Sequence, residues 1–302
     1  MKWKSFDGRE VSGLHYHPPK RFEGKRPVVV MAHGFAGTKD SGLAPYAQRF
    51  ADAGLAVFAF DYRGFGTSEG RLRQQISIAR QLDDYRAAVD TAVRQPGVDP
   101  DRVVLWGVSL SGGHVIRLAD ETRAAAVIAL TPLTDVLSTG RHVLSGYGAV
   151  TVLRNTADGV RSRIGAAAGA EPVLMPVVTP DGHRALLGPG GAYDGYLSIA
   201  GPSWRNEIDA AVGLELGRIS TARYAKRMTA PLLVQIADFD SYVSAEAAMK
   251  TARHGRGIVH HYPCDHFDVW PGRGWFEHAV SDQLRFLRRV LGTAPERHQG
   301  GP

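Results

Sequence analysis

Six short, mostly apolar runs constrain the fold of this chain more than any other feature. They are residues 27–32 (PVVVMA), 55–60 (LAVFAF), 102–106 (RVVLW), 126–130 (AVIAL), 231–236 (PLLVQI) and 257–262 (GIVHHY). A strand with one wet face alternates apolar and polar residues. A run that is apolar almost throughout keeps no face for water, which is the pattern of a parallel strand covered on both sides. Helical spacing lies between several of these runs. Ile78, Leu82, Tyr85, Val89 and Val93 recur at steps of three and four, as do Leu284, Leu287 and Leu291 over residues 281–291. Strand and helix in succession predict an α/β fold, a mostly parallel central sheet flanked by helices. Such sheets carry their sites beyond the carboxyl ends of the strands.

Residues 133–228 break this rhythm. They hold no clear strand, are punctuated by Pro172, Pro176, Pro180, Pro189, Gly190 and Gly191, and have helix-like stretches at 143–153 and 207–216. The segment is too long for a plain connection in a compact domain. It is expected to be an inserted helical lid over the strand ends rather than a decoration packed to one side. The expected organisation is a core in two parts, 1–132 and 229–292, the lid at 133–228, and a flexible polar tail at 293–302.

Composition excludes several classes. The 302 residues are 44% hydrophobic and 22% charged, ordinary for a globular protein with a large core. No apolar run reaches bilayer length, so no membrane span is expected. The first residues, MKWKSFDG, lack the apolar stretch of a secretory signal. Cys264 is the sole cysteine, so neither an internal disulfide nor a cysteine zinc cage can form, and a cytoplasmic location is expected. The formal charge of +6 raises the question of nucleic acid. The arginines are spread along the whole chain among acidic residues, so the charge reads as a solvated surface and no nucleic-acid partner is expected. The oligomeric state is left open, a homodimer included.

The chemistry concentrates after the third run, in Trp106-Gly107-Val108-Ser109-Leu110-Ser111-Gly112-Gly113. A small–x–Ser–x–small sequence between a buried strand and a helix is the setting of a nucleophile elbow. The turn there is so tight that the positions two before and two after the serine must be small. Gly107 meets this outright, and Ser111 stands where a second glycine is usual. A serine hydroxyl needs a base. His266, in Tyr262-Pro263-Cys264-Asp265-His266-Phe267 after the last run, is the best placed of twelve histidines. The base needs an orienting carboxylate. The fifth run ends in Ala237-Asp238-Phe239-Asp240, and either aspartate could serve; Asp240 lies further into the loop. The order serine, aspartate, histidine is distinctive among triads. An oxyanion needs fixed N–H donors. Phe35, in Ala32-His33-Gly34-Phe35-Ala36-Gly37 after the first run, and Leu110, next to Ser109, are the candidates, with His33 bracing the loop. No metal or cofactor is implied. His260 and His261 face apart on a strand, and the glycines of 64–70 miss the dinucleotide spacing.

Together these residues resemble the α/β-hydrolase superfamily over nearly the whole chain. The matching pieces are His33-Gly34-Phe35, Asp61-Tyr62-Arg63-Gly64-Phe65-Gly66-Thr67-Ser68, the Ser109 elbow, residues 231–243 and His266-Phe267. The W-G-x-S-x-S-G-G elbow resembles a bacterial serine-hydrolase branch described as dienelactone-hydrolase-like or X-Pro-peptidase-like, as does Pro202-Ser203-Trp204-Arg205-Asn206-Glu207. That resemblance accommodates Ser111 and selects Asp240 as the acid. Serine at the elbow argues against a true dienelactone hydrolase, a dehalogenase or an epoxide hydrolase. The resemblance implies a serine hydrolase that cleaves a small-molecule carboxylic ester or thioester through an acyl-enzyme on Ser109. Amide hydrolysis, acyl transfer to another acceptor, and a non-catalytic binding protein on the same scaffold are the alternatives. Tyr147 and Trp204 are candidate pocket walls.

Overall fold

Buried apolar runs must pair their backbone N–H and C=O groups with one another, and here they do so in one sheet. A computed structural model describes residues 1–292 apart from 5, 6, 21, 23, 137–147, 181, 182, 189, 190 and 218. The sheet has eight strands, ordered β1 (Lys2–Lys4), β2 (Glu10–Tyr16), β4 (Ala56–Phe60), β3 (Arg26–Ala32), β5 (Val98–Val108), β6 (Ala126–Leu130), β9 (Leu232–Ala237) and β10 (Ile258–Tyr262). From β4 to β10 all neighbours are parallel, while β1 and β2 extend the sheet antiparallel. The six apolar runs are β3 to β6, β9 and β10, and the α/β expectation holds. β10 differs from the expectation of burial on both faces. It is the sheet's edge, with β9 as its one neighbour, and its Ile258 is 38% exposed.

Side chains of each central strand alternate between two cores. Val29, Met31, Val57, Val104 and Trp106 pack beneath α1 (Leu43–Asp52) and α9 (Phe276–Leu291), against Tyr46, Phe50 and Leu284. Val28, Val30, Phe58, Phe60 and Leu105 face the other way. They meet Leu82 and Tyr85 of α2 (Ile78–Val93) and Val115 of α3 (Leu110–Leu118). Fully burying one such side chain is worth about 1.5–3 kcal/mol. Polar pins cross the layers. Trp106 Nε1 donates to Gln283 Oε1 at 3.0 Å, and the Tyr85 hydroxyl lies 2.7 Å from the Val30 carbonyl oxygen.

After β6 the chain leaves the sheet, and it is tied again where it returns. The Thr221 amide and hydroxyl donate to the Thr134 carbonyl at 3.0 and 3.1 Å, and Asp135 and Ser220 form an isolated antiparallel bridge. Between these points lie α4 (Ala149–Ala167), α5 (Ala192–Ile199), α6 (Val212–Leu216) and two two-residue strands, β7 (Leu174–Met175) and β8 (Ile208–Asp209). β7 and β8 pair antiparallel, so the expectation of a strand-free insertion is corrected. The stretch 207–216 is β8 and α6 rather than one helix. Of the stretch 143–153, residues 143–147 lie outside the described residues, as does the tail at 293–302. On returning, α7 (Ala222–Arg227) and α8 (Ala245–His254) bury Ala225, Ala248 and Ala252 in the same core as α2 and α3. Among the described residues no helix is long and apolar enough to cross a membrane.

Candidate active site

The site begins where β5 turns into α3. Ser109 sits in that turn with φ 55° and ψ −118°, a conformation that costs an L-residue about 1–3 kcal/mol. Close packing enforces it. A Cβ on Gly107 would lie 2.3 Å from the Ser111 carbonyl oxygen, and one on Gly113 would lie 2.4 Å from that of Leu133. Ser111 is fully buried, and its hydroxyl has a specific use. It accepts from the Val108 amide at 2.8 Å and donates to the Ala32 carbonyl at 2.7 Å, tying the turn to the end of β3.

From that end of β3, His33-Gly34-Phe35 passes directly over the serine. A Cβ on Gly34 would lie 2.7 Å from Ser109 Cβ, so only glycine permits the approach. Phe35 follows directly and lines the same cavity as Ser109. Leu110 follows Ser109 as the first residue of α3, where N–H groups have no partner within the helix. His33 stacks flat on Trp270, with ring centroids 5.0 Å apart at 6°. Burial pushes its pKa down to about 3, so it stays neutral and serves as packing. The loop is anchored further on. Asp61 accepts from the Lys39 amide at 2.7 Å, from Lys39 Nζ at 2.5 Å and from the Thr67 amide at 3.0 Å.

The loops after β9 and β10 bring the histidine and one aspartate together. His266 Nδ1 lies 2.6 Å from Asp240 Oδ2, and both side chains are almost wholly buried. The other oxygen of Asp240 accepts from the amides of Tyr242 and Val243, each at 2.8 Å. A carboxylate so surrounded by donors is an acceptor, so Nδ1 carries the proton and Nε2 is left with its lone pair. Asp238 is placed elsewhere, with His261 Nδ1 at 2.6 Å on the exposed side. Burial pulls the His266 pKa down. The charge and hydrogen bond of Asp240, with Asp265 adding to them, outweigh burial and hold it above the ordinary imidazole value.

Ser109, His266 and Phe35 all open into one cavity of about 310 Å³. Its remaining walls are mainly apolar. Leu133, Tyr242, Val243 and Phe267 come from the core, and Val136, Leu186, Leu187, Tyr196 and Leu216 from the segment between Thr134 and Thr221. Trp204 is not among the lining residues. It stacks behind Tyr196, with centroids 5.7 Å apart. Tyr147 lies outside the described residues. Among those described, no group of three or more histidine, cysteine, aspartate or glutamate side chains is set to hold a metal ion. Cys264 is buried, and burial, with the aspartates around it, pushes its pKa up to about 12.

Three residues of the site were not singled out by sequence reasoning. Asp265 accepts from the Ser241 amide and hydroxyl, each at 2.8 Å, and from the His266 amide at 2.6 Å, joining the two loops that carry Asp240 and His266. Its one signal was its place beside His266. Tyr242 packs edge-on to the imidazole, with centroids 5.5 Å apart. Tyr196 lies far from any motif in sequence.

Comparison with known proteins places the chain among α/β hydrolases. The model of the serine aminopeptidase family S33 matches residues 23–154. The quorum-quenching protein AidA of Acinetobacter baumannii is 37% identical over 290 residues, covering 95% of this chain and 94% of its own. The thiohydrolase aneE of Aspergillus aculeatus is 34% identical over 194 residues, 62% of this chain and 59% of that protein. Among solved structures, DcsB in complex with its substrate analogue superposes with a TM-score of 0.80 at 23% identity, covering 97% of this chain and 98% of that one.

Proposed function

The chain belongs to the α/β-hydrolase superfamily, and on that premise we propose that it is a serine hydrolase acting on carboxylic esters or thioesters. The matches reach the superfamily and not the dienelactone-hydrolase-like branch that the elbow resembles. The observation that carries the proposal is the pairing of His266 Nδ1 with Asp240, in a cavity that also exposes Ser109 at its strained turn.

In this reading His266 Nε2 removes the Ser109 proton as Oγ attacks the substrate carbonyl. The carbonyl oxygen becomes an oxyanion, held by the Phe35 and Leu110 amides. The imidazolium gives its proton to the leaving oxygen or sulfur, and the acyl group remains on Ser109. Water then repeats the sequence, releasing the acid and restoring the serine. Asp240 keeps the imidazole in the required tautomer and stabilises its charged form. The apolar cavity supports an acyl group as the part of the substrate it encloses, and the segment 133–228 acts as its lid. The name of one relative, a thiohydrolase, fits a thioester substrate. A polyketide transferase of Stachybotrys chlorohalonatus, 33% identical over 61% of this chain, keeps acyl transfer to another acceptor as the second reading.

The test is mass spectrometry after exposure to a fluorophosphonate, with a parallel series of acyl esters and thioesters. The expected result is one adduct, on Ser109, absent from Ser109→Ala and from heat-denatured protein, with release of free acid. Activity surviving in Ser109→Ala would sink the proposal. Turnover only when an alcohol, thiol or amine acceptor is supplied would favour the transferase reading.

A further inference from the structure

The loop that carries Phe35 is held from outside its own core. Ala36 has φ 53°, a conformation that a non-glycine residue keeps only where its surroundings impose it. Two residues beyond Thr134 reach across to this loop. Tyr196, on α5, donates from its hydroxyl to the Phe35 carbonyl. Ser203 gives the Asp40 carboxylate two bonds, from its amide at 3.0 Å and from its hydroxyl at 2.9 Å. Thr38 donates to the same carboxylate at 2.5 Å, from within the loop. The approach is close, for a Cβ on Gly201 would lie 2.4 Å from the Asp40 carbonyl oxygen.

The Tyr196 ring has little freedom. Trp204 stacks on it at 24°, and Phe267, beside His266, meets it edge-on with centroids 5.2 Å apart. The Ser203-Trp204 pair thus serves one purpose with its two side chains: the serine lashes the loop, and the tryptophan backs the tyrosine.

We propose that Tyr196 is a positioning residue for the oxyanion site, with the Ser203–Asp40 contact as a second lash. Holding the Phe35 carbonyl restrains the peptide plane that follows Phe35, while Gly34, packed against Ser109, restrains the plane before it, so rotation about Phe35 and the direction of its N–H are limited from both sides. Donors aimed in advance are what make an oxyanion site effective. The insertion then does more than enclose the acyl group, since the donor is aimed only when α5 is seated. This inference rests on the acyl-transfer reading of Ser109.

Tyr196→Phe removes the hydroxyl and keeps the ring, and Ser203→Ala loosens the loop at a position outside the cavity lining. Each variant is assayed for kcat and KM on an acyl ester. Each is also titrated with an acyl trifluoromethyl ketone, whose adduct with Ser109 carries an oxyanion. The expected result for Tyr196→Phe is a loss of kcat of about tenfold, smaller than the ~100-fold that follows outright removal of a donor. KM stays within about twofold, and ketone affinity falls by the same factor as kcat. Ser203→Ala moves the same quantities in the same direction, with an unchanged thermal midpoint as the check on folding. Wild-type kcat in both variants, or a loss confined to KM, would overturn the inference while leaving the hydrolase reading intact. If the wild-type protein neither turns over esters nor binds the ketone, the acyl-transfer reading has failed and this inference falls with it.

Discussion

Two aspartates two residues apart follow β9, and their surroundings decide what each can do. The Asp240 side chain is 1% exposed and bonded to His266, whereas that of Asp238 is 36% exposed and bonded to His261. Asp240→Asn is expected to lower kcat about 10⁴-fold, because an amide no longer selects the working tautomer. Asp238→Asn is expected to stay within about twofold, as befits an exposed pair. The pH profile of kcat/KM is the sharper check. A general base works only when neutral, so activity should fall as pH drops through the His266 pKa, which lies above 6.5. In Asp240→Asn burial is left opposed chiefly by Asp265, so that acid limb should move down. An acid limb at the same pH in both proteins would contradict the assignment. The same raised pKa favours the folded state most at pH below 6.5, and that contribution is lost as pH rises through the folded value. The residues alone left either aspartate open and the resemblance selected Asp240, because what separates them physically is burial by elements far along the chain.

Elements were legible in proportion to how far their pattern depended on themselves alone. β6 and α2 have the limits that their apolar runs and 3.6-residue spacing predict. The elbow was equally plain, since Gly107 answers to Ser111, a neighbour within the turn. β1 and β2 were not legible. β2 interleaves Ser12, Gly13 and His15 with its apolar residues, and it becomes a strand by pairing with β4, some 45 positions along. β7 and β8, of two residues each, have no periodicity to read, and the loop carrying Phe35 is held by residues more than 150 positions away. Ser111 makes the element-level argument testable. If its hydroxyl links the end of β3 to the turn, Ser111→Ala should cost about 1–3 kcal/mol of stability, since the bonded groups are buried. Urea unfolding measures this. A change below about 0.5 kcal/mol would mean that the serine merely fills space.

At the scale of the whole molecule, the cavity lies between the carboxyl ends of the strands and the segment that leaves the sheet after β6. The sheet end supplies Ser109, Asp240 and His266, and the inserted segment supplies much of the apolar wall. Each methylene buried there is worth about 0.8 kcal/mol, so kcat/KM should rise up to about fourfold per added carbon until the acyl chain fills the cavity. Leu187→Trp narrows the wall and should move that optimum to shorter chains without changing the rate on acetyl esters. An optimum unmoved in a chain-length series would place the acyl group outside this cavity. The interruption in the alternation of strands and helices between β6 and β9 was legible. The contacts of that segment were not, because they join surfaces that neither segment's own pattern describes.

The order of strands in the chain has a further consequence. Ser109 and the Phe35 loop belong to strands made early, while Asp240 and His266 follow β9 and β10, after the insertion has been synthesised. A nascent chain that has emerged only through residue 228 therefore carries Ser109 without the carboxylate and imidazole that pair beside it in the complete fold. On the proposed mechanism such a chain lacks its base, and the site is complete only once the last strand of the sheet has been made.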